Sequence, residues 1–271
     1  MTVILNGKEV RGALIPQLQK RVSLCKNHPQ LVVIQVGNNP DSTVYINQKK
    51  KFGDEIGVIV HHIVLPIDVL EQDVLNTIET YNKDTDISGI IVQLPIPDRL
   101  DKDRILNSID QLKDVDGLRQ CSHCIPATAR GVMTLCDYYH VDLSGKHVVV
   151  IGRSQLVGMP TALECLRRDA TVTVCHSHTQ NLATITQSAD ILIVACGVPR
   201  YINQDYVKEG QVVIDVGIHK TESGICGDVD YKDVVDIVSA ISPVPGGVGP
   251  LTVVSLFQNL CDMFEQQHSV V

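Results

Sequence analysis

The strongest constraint in this 271-residue chain is a repeated alternation between short, unbroken apolar runs and stretches of helical periodicity. Leu31-Val32-Val33-Ile34-Gln35-Val36 reads as a buried strand. Asn38-Asn39-Pro40-Asp41-Ser42 then supplies a turn and a helix N-cap, with helix expected to about Ile56. Val58–Leu65 is a second strand, Glu71–Tyr81 a helix, and Gly89–Val92 a third strand running into Gln93-Leu94-Pro95-Ile96-Pro97. Strands that are apolar at successive positions have no solvated face, so these belong to a mostly parallel sheet covered by helices on both sides. The pattern restarts after a helix over about Thr128–Tyr139. Strands are expected at His147–Ile151, Ala170–Cys175, Ile191–Val194 and Val212–Val216, with a helix over Val157–Arg168. Five or six strands with crossovers predict a second α/β unit of nucleotide-binding, Rossmann type.

The fold class is therefore α/β with two domains and a boundary near residues 138–145. Residues 1–140 form the first domain and 141–250 the second. The final segment, 251–271, carries an amphipathic helix over Leu251–Gln267 that is expected to pack back on the first.

Composition narrows the function. A formal charge of −8 argues against a nucleic-acid partner, which requires a basic footprint. No window approaches 18 uninterrupted apolar residues, so no membrane-spanning helix is expected. The first residues, Met1–Lys8, lack the basic-then-apolar pattern of a secretory signal. Nine cysteines, mostly single within apolar stretches such as Cys25, Cys165 and Cys196, fit a reducing compartment better than a disulfide framework. The expectation is a cytoplasmic protein.

Two regions carry chemistry. In the second half, Gly152-Arg153-Ser154-Gln155-Leu156-Val157-Gly158 sits between a strand and a helix, where orphan N–H groups and the helix dipole favour a pyrophosphate. The dinucleotide fingerprint is only partly matched, because Ser154 stands at its second glycine, and a purely structural turn also fits. NAD enzymes usually place a carboxylate at the end of the next strand to hold the ribose 2′-hydroxyl. Here that end reads Cys175-His176-Ser177-His178-Thr179. Arg153 and Ser177 can accept a 2′-phosphate instead, which favours NADP over NAD. Ser242–Pro250, with three glycines and prolines in succession at Pro245-Gly246-Gly247, suits close backbone approach to a ligand, and Pro250 suits a helix start.

In the first half, Tyr45 and Lys49 stand one helical turn apart on one face. An aromatic plate beside an amine can stack a flat heterocycle and move a proton, provided that desolvation or cationic neighbours such as Lys50 and Lys51 lower the amine's pKa. A solvated helix with a lysine run has the same spacing. Gln93 ends a strand at the carboxyl edge of the sheet, where open α/β sheets collect ligands; a proline-rich turn would also accommodate it. In Lys113-Asp114-Val115-Asp116-Gly117 a carboxylate can pair with an amidine-like edge, although Asp-Gly is a common turn.

Taken together, these blocks closely resemble the bifunctional methylenetetrahydrofolate dehydrogenase/methenyltetrahydrofolate cyclohydrolase family. The resemblance runs through Ser42–Lys49, Val92–Pro97, Lys113–Gly117, Gly152–Ser154 with Val157-Gly158, Cys175–Ser177, Val213–Ile218, Gly227–Asp230 and Pro243–Pro250. It implies two domains flanking a cleft, with folate on the first and NADP on the second, in a homodimer serving one-carbon metabolism and purine biosynthesis. It implies oxidation of 5,10-methylenetetrahydrofolate to the methenyl form, then hydrolysis to 10-formyltetrahydrofolate. By position it assigns Lys49 to the hydrolytic step, Gln93 to a hydrogen bond with Lys49, Tyr45 to packing on the pterin and Asp116 to the pterin's amino and ring N–H edge. It sets Gly152, Arg153, Ser154, Ser177 and Ile218, the last through its backbone, along the cofactor.

Three departures stand out. The stretch Leu118–Ile125 is shorter than the family's usual connection, Pro126-Ala127-Thr128-Ala129 replaces Pro-Cys-Thr-Pro, and His178 stands where Lys or Arg is typical, which leaves NAD open. The rival enzymatic reading is a cyclohydrolase with a degenerate cofactor site; a rival of another class is a non-catalytic scaffold. Cys121-Ser122-His123-Cys124 supplies half of a zinc site without a matching second pair, so no metal is expected.

Overall fold

The computed structural model describes residues 1–222 and 224–268. In chain order these form β1 (Val3–Ile4), α1 (Gly7–Ser23), β2 (Gln30–Val36), α2 (Pro40–Ile56), β3 (Ile59–Leu65), α3 (Glu71–Lys83), β4 (Gly89–Val92), α4 (Lys102–Asn107) and α5 (Ala127–Tyr138). They continue with β5 (His147–Ile151), α6 (Gly158–Arg167), β6 (Thr171–Cys175), α7 (Leu182–Ser188), β7 (Ile191–Val194), a 3-10 turn at Gln204–Tyr206 and β8 (Val212–Asp215). The antiparallel pair β9 (His219–Thr221) and β10 (Gly224–Cys226), then α8 (Tyr231–Val234), β11 (Ala240–Ile241) and α9 (Gly249–His268), complete the order.

Two compact units result. One comprises Ala13–Ala127 with the chain from Val253 onward; the other comprises Met1–Gly12 with Thr128–Thr252. The division falls at 127/128 instead of near 138–145 because α5 groups with the second half, and the amino terminus joins that half through a long-range pairing. Val3 and Ile4 pair in parallel with Ala240 and Ile241, so the amino terminus completes the sheet of the second half. Two-residue strands carry no periodicity from which such a pairing could be read.

In the first of these units, β3, β2 and β4 form a parallel sheet in that order. Alternate residues of β2 enter different cores. Val32, Ile34 and Val36 pack with Val74, Ile78, Ile90 and Ile105, whereas Leu31 and Val33 pack with Ile46, Phe52 and Ile56 of α2. Both faces are covered, which is why the strand reads as a continuous apolar run. The second of those cores also takes Phe257, Leu260 and Met263, so α9 packs on this sheet as the sequence suggests. Asn39 caps α2, its Oδ1 accepting from the Ser42 N–H at 3.3 Å, and Pro40 occupies the first helical position.

Buried Asn259 of α9 donates through Nδ2 to the Val115 carbonyl at 2.8 Å and the Ile125 carbonyl at 2.9 Å. Asn259→Ala leaves those carbonyls to find new donors. It is expected to lower stability by about 1–3 kcal/mol in urea unfolding; an unchanged midpoint would show that the bonds contribute nothing net.

In the other unit the parallel sheet runs β1-β11-β8-β7-β5-β6. Its core contains Val149, Ile151, Leu192, Val194, Val213 and Val234. From β5 the chain moves outward to β6, then returns past β5 to β7 and β8. The carboxyl ends of β5 and β7 therefore mark a topological switch point, the place where open α/β sheets form a ligand crevice.

Candidate active site

The residues expected to carry the folate chemistry lie on three segments of the unit that contains β2, β3 and β4. Gln93 follows β4 directly, its N–H donating to the Ile34 carbonyl of β2 at 2.8 Å. Segment 113–115 runs beside β4: the Ile90 N–H donates to the Lys113 carbonyl at 2.8 Å, and Ile90 bridges Asp114 in parallel. Asp116 is thus delivered to the same carboxyl edge as Gln93. Lys49 reaches that edge from α2, where Lys49 Nζ donates to Gln93 Oε1 at 2.8 Å. The Gln93 amide in turn donates to the Leu94 carbonyl at 2.8 Å, fixing which end of the side chain faces the amine.

Burial pulls the Lys49 ammonium below its ordinary pKa, and the Asp116 carboxylate pushes it back up. Burial likewise raises the Asp116 carboxyl; Lys49 opposes that rise and Asp114 adds to it. An amine and a carboxyl with opposed perturbations at a sheet edge can exchange protons with a bound ligand. Tyr45, one turn before Lys49, is 50% exposed and presents a free aromatic face.

The structure divides the labour within Lys113-Asp114-Val115-Asp116-Gly117. Buried Asp114 accepts from the N–H groups of Gly117, Leu118 and Arg119 at 3.1–3.3 Å, holding the turn. Lys113 Nζ donates to the carbonyls of Tyr81, Asn82 and Asp84 at 2.6–2.9 Å, tying this segment to the end of α3. Those two charges support the fold, which leaves Asp116 as the carboxylate available to a ligand.

On the other unit, the expected cofactor residues line the carboxyl edge of the six-stranded sheet. Ile151 pairs with Cys175, so Arg153 and Ser177 follow neighbouring strand ends, and both are exposed. Gly152, at the switch point, has φ +116°, and a Cβ there would run into the Ala195 carbonyl oxygen of the loop after β7. Ser154 Oγ accepts from the Val157 and Gly158 N–H groups at 3.2 and 3.3 Å, so the residue at the fingerprint's second glycine caps the start of α6. Ile218, 52% exposed, follows β8. His176 Nδ1 accepts from the His178 N–H at 3.2 Å, shaping the turn that presents Ser177.

Sequence reasoning assigned no part to Asp215, His219 and Asp228. All three belong to one polar cluster next to Ile218, in which the two carboxylates are buried and His219 is partly exposed. The carboxylates within Val213–Ile218 and Gly227–Asp230 were the available signal. The nine cysteines are all free thiols. Among the described residues, no group of three or more His, Cys, Asp or Glu side chains is placed to hold a metal ion, and no helix is long and apolar enough to cross a membrane.

A parallel α/β sheet with a glycine turn at its switch point, joined to a second α/β unit carrying a buried amine, defines a two-domain dinucleotide-dependent enzyme. The sequence matches the catalytic domain of the tetrahydrofolate dehydrogenase/cyclohydrolase family over residues 5–116 and that family's NAD(P)-binding domain over residues 126–268. It is 45% identical to the bifunctional protein FolD of Lachnoclostridium phytofermentans, covering 96% of each chain. It is 42% identical to the FolD of Lactobacillus delbrueckii subsp. bulgaricus over 100% of both chains.

Among solved structures, the bifunctional FolD enzyme of Campylobacter jejuni superposes with a TM-score of 0.95 at 39% identity, over 98% of this chain and 99% of that one. The Trypanosoma brucei methylenetetrahydrofolate dehydrogenase-cyclohydrolase, solved with NADP and an inhibitor, gives 0.91 at 32% identity over 98% of each. The chain belongs to the tetrahydrofolate dehydrogenase/cyclohydrolase family. It is an enzyme with two activities, oxidising 5,10-methylenetetrahydrofolate with a nicotinamide dinucleotide and hydrolysing the methenyl product.

Proposed function

We propose that Lys49 is the proton-transfer group of the hydrolytic step, with Gln93 as its partner and Asp116 and Tyr45 as the pterin contacts. The observation that carries this reading is the buried Lys49 amine held 2.8 Å from Gln93 Oε1. Its lowered pKa supplies neutral amine, which the cationic methenyl substrate would favour further. As water adds to the methenyl carbon, the amine takes a proton from that water. The ammonium then returns a proton to N5 as the carbon–N5 bond breaks. The hydroxyl proton leaves to solvent as the formyl C=O forms on N10, so hydrolysis releases one proton overall. Asp116 accepts from the pterin's amino and ring N–H groups, and Tyr45 packs on the ring.

The sign of the coupling between Asp116 and Lys49 gives a pH test. Asp116 raises the Lys49 pKa, so Asp116→Asn lowers it further. The acid limb of kcat for hydrolysis is expected to move to lower pH by roughly one unit at saturating substrate. A limb that stays in place would separate the two groups functionally.

For the dinucleotide, the lack of a carboxylate after β6, together with exposed Arg153 and Ser177, supports NADP as the cofactor. The close approach at Gly152 leaves the β5 turn free of side-chain bulk, which fits a pyrophosphate. When bound, NADP accepts the hydride from the one-carbon bridge. Arg153, Ser177 and the Gly152–Ser154 turn hold and orient the dinucleotide, with Ile218 lining it through its backbone.

Mixing the protein with methylenetetrahydrofolate should generate 340 nm absorbance faster with NADP than with NAD. Arg153→Ala should cut that preference by roughly tenfold or more. Methenyl decay without 340 nm absorbance from either cofactor would leave only the hydrolase. A preference unaffected by Arg153→Ala would move the 2′-phosphate elsewhere. We place the enzyme in the cytoplasm as a homodimer supplying formyl groups for purine biosynthesis. Its free thiols and the family resemblance support this placement, and sedimentation as a monomer in analytical ultracentrifugation at micromolar concentration would remove the dimer.

A further inference from the structure

Behind Ile218 lies a polar cluster that the roles above do not use. Asp228, 0% exposed, follows β10. Its Oδ2 accepts from the Gly197 N–H at 2.8 Å, and its Oδ1 lies 2.6 Å from His219 Nε2. The Cys196 thiol hydrogen-bonds to the same carboxylate. Asp215, at the end of β8, accepts from the N–H groups of Gly217, Asp228 and Val229 at 2.9–3.1 Å. Its own N–H donates to Ser242 Oγ at 2.8 Å.

Two glycines make room for these carboxylates. A Cβ at Gly217 would run into the Asp228 carboxylate, and one at Gly227 into that of Asp215. Val194 pairs with Asp215, so Gly197 and Ile218 follow neighbouring strand ends. Asp228 therefore ties the loop after β7 to the loop after β8. With the pyrophosphate at Gly152 and the 2′-phosphate beyond β6, the opposite half of a dinucleotide lies over β7 and β8.

We propose that Asp228 is a positioning residue for the nicotinamide half of the cofactor, holding Gly197 and His219 so that the two loops keep the spacing a nicotinamide ribose requires. This rests on the NADP reading given above. A buried carboxylate that bridges two loops through a backbone N–H and an imidazole fixes both at once, because either bond alone would leave one loop free to drift. Asp228 is fully buried and acts through Gly197 and His219, so its effect is expected on dinucleotide affinity.

The bifunctional chain supplies its own control, since hydrolysis needs no dinucleotide and its proposed residues belong to the other unit. Asp228→Asn and His219→Ala are expected to raise the KM for NADP by roughly tenfold or more. Cyclohydrolase turnover should stay within about twofold of the parent. His219→Gln, whose amide can renew the bond to Asp228, should recover most of the loss. An unchanged KM for NADP in folded His219→Ala would overturn the proposal, as would parallel loss of both activities or the same defect in His219→Gln as in His219→Ala. Should Asp228→Asn fail to fold, the two His219 variants decide. Arg153→Ala separates the underlying reading: if it alters NADP preference while the cluster variants do not, only the positioning role fails.

Discussion

Lys49→Met is expected to lower cyclohydrolase turnover by roughly 10²–10⁴-fold, the usual contribution of a positioned proton-transfer group. Methionine keeps most of the side chain's length and apolar stem, so α2 and its packing remain. Stability is pulled both ways, since Gln93 Oε1 loses its donor and Asp116 its cationic neighbour while the cost of burying an ammonium is removed. Burial disfavours the Lys49 ammonium, and a lysine whose folded pKa is lowered binds fewer protons folded than unfolded between the two pKa values. Its contribution to stability therefore rises with pH across that window and is unfavourable below it. Removing the amine relieves that cost at neutral pH. The loss should reach Asp116, whose carboxyl Lys49 holds down against burial. In the variant that carboxyl rises further, so folate binding should weaken at the acid end of the profile and remain near normal at the alkaline end. Turnover equal to that of the parent, measured by decay of methenyl absorbance, would show that another group moves the proton.

Gly152→Ala is expected to abolish most dehydrogenase activity, by roughly 10²-fold or more, and to lower stability by about 2–4 kcal/mol. Two penalties combine. A φ of +116° lies where L side chains are rarely found, and the new methyl would occupy the position of the Ala195 carbonyl oxygen. Relief requires β5 and the loop after β7 to separate at the switch point. Calorimetry should show a lowered transition and the 340 nm assay a large loss with NADP. A variant with parental stability and NADP affinity would mean that the turn relaxes freely and that its tight closure is not needed for the cofactor.

Much of this arrangement could be read before folding was considered. The unbroken apolar runs at Leu31–Val36, Gly89–Val92, His147–Ile151 and Ile191–Val194 became parallel strands within a residue of their expected limits, because a strand covered on both faces must be apolar at successive positions. The helical spacing of Tyr45 and Lys49 places both on α2. Other features had no local trace. Helix α1, which contains Gly12 and Pro16, does not present a clear apolar stripe. Among the charges of Lys113–Asp116, spacing did not separate the two that hold turns from the one left at the sheet edge. Ser154 stood in the fingerprint as a missing glycine, and its capping of α6 became evident only from the Val157 and Gly158 N–H groups.

Local sequence determined the order of the longer strands and the helices between them, the glycine turn after β5 and the face shared by Tyr45 and Lys49, since each depends on residues within a turn or two of one another. Tertiary structure alone decided that Val3 joins Ala240, that Gln93 meets Lys49, and that Asp228 spans the loops at Gly197 and His219. Those contacts bring together residues far apart in the chain, and the burial that shifts the Lys49 and Asp116 proton equilibria exists only once the surrounding elements have packed.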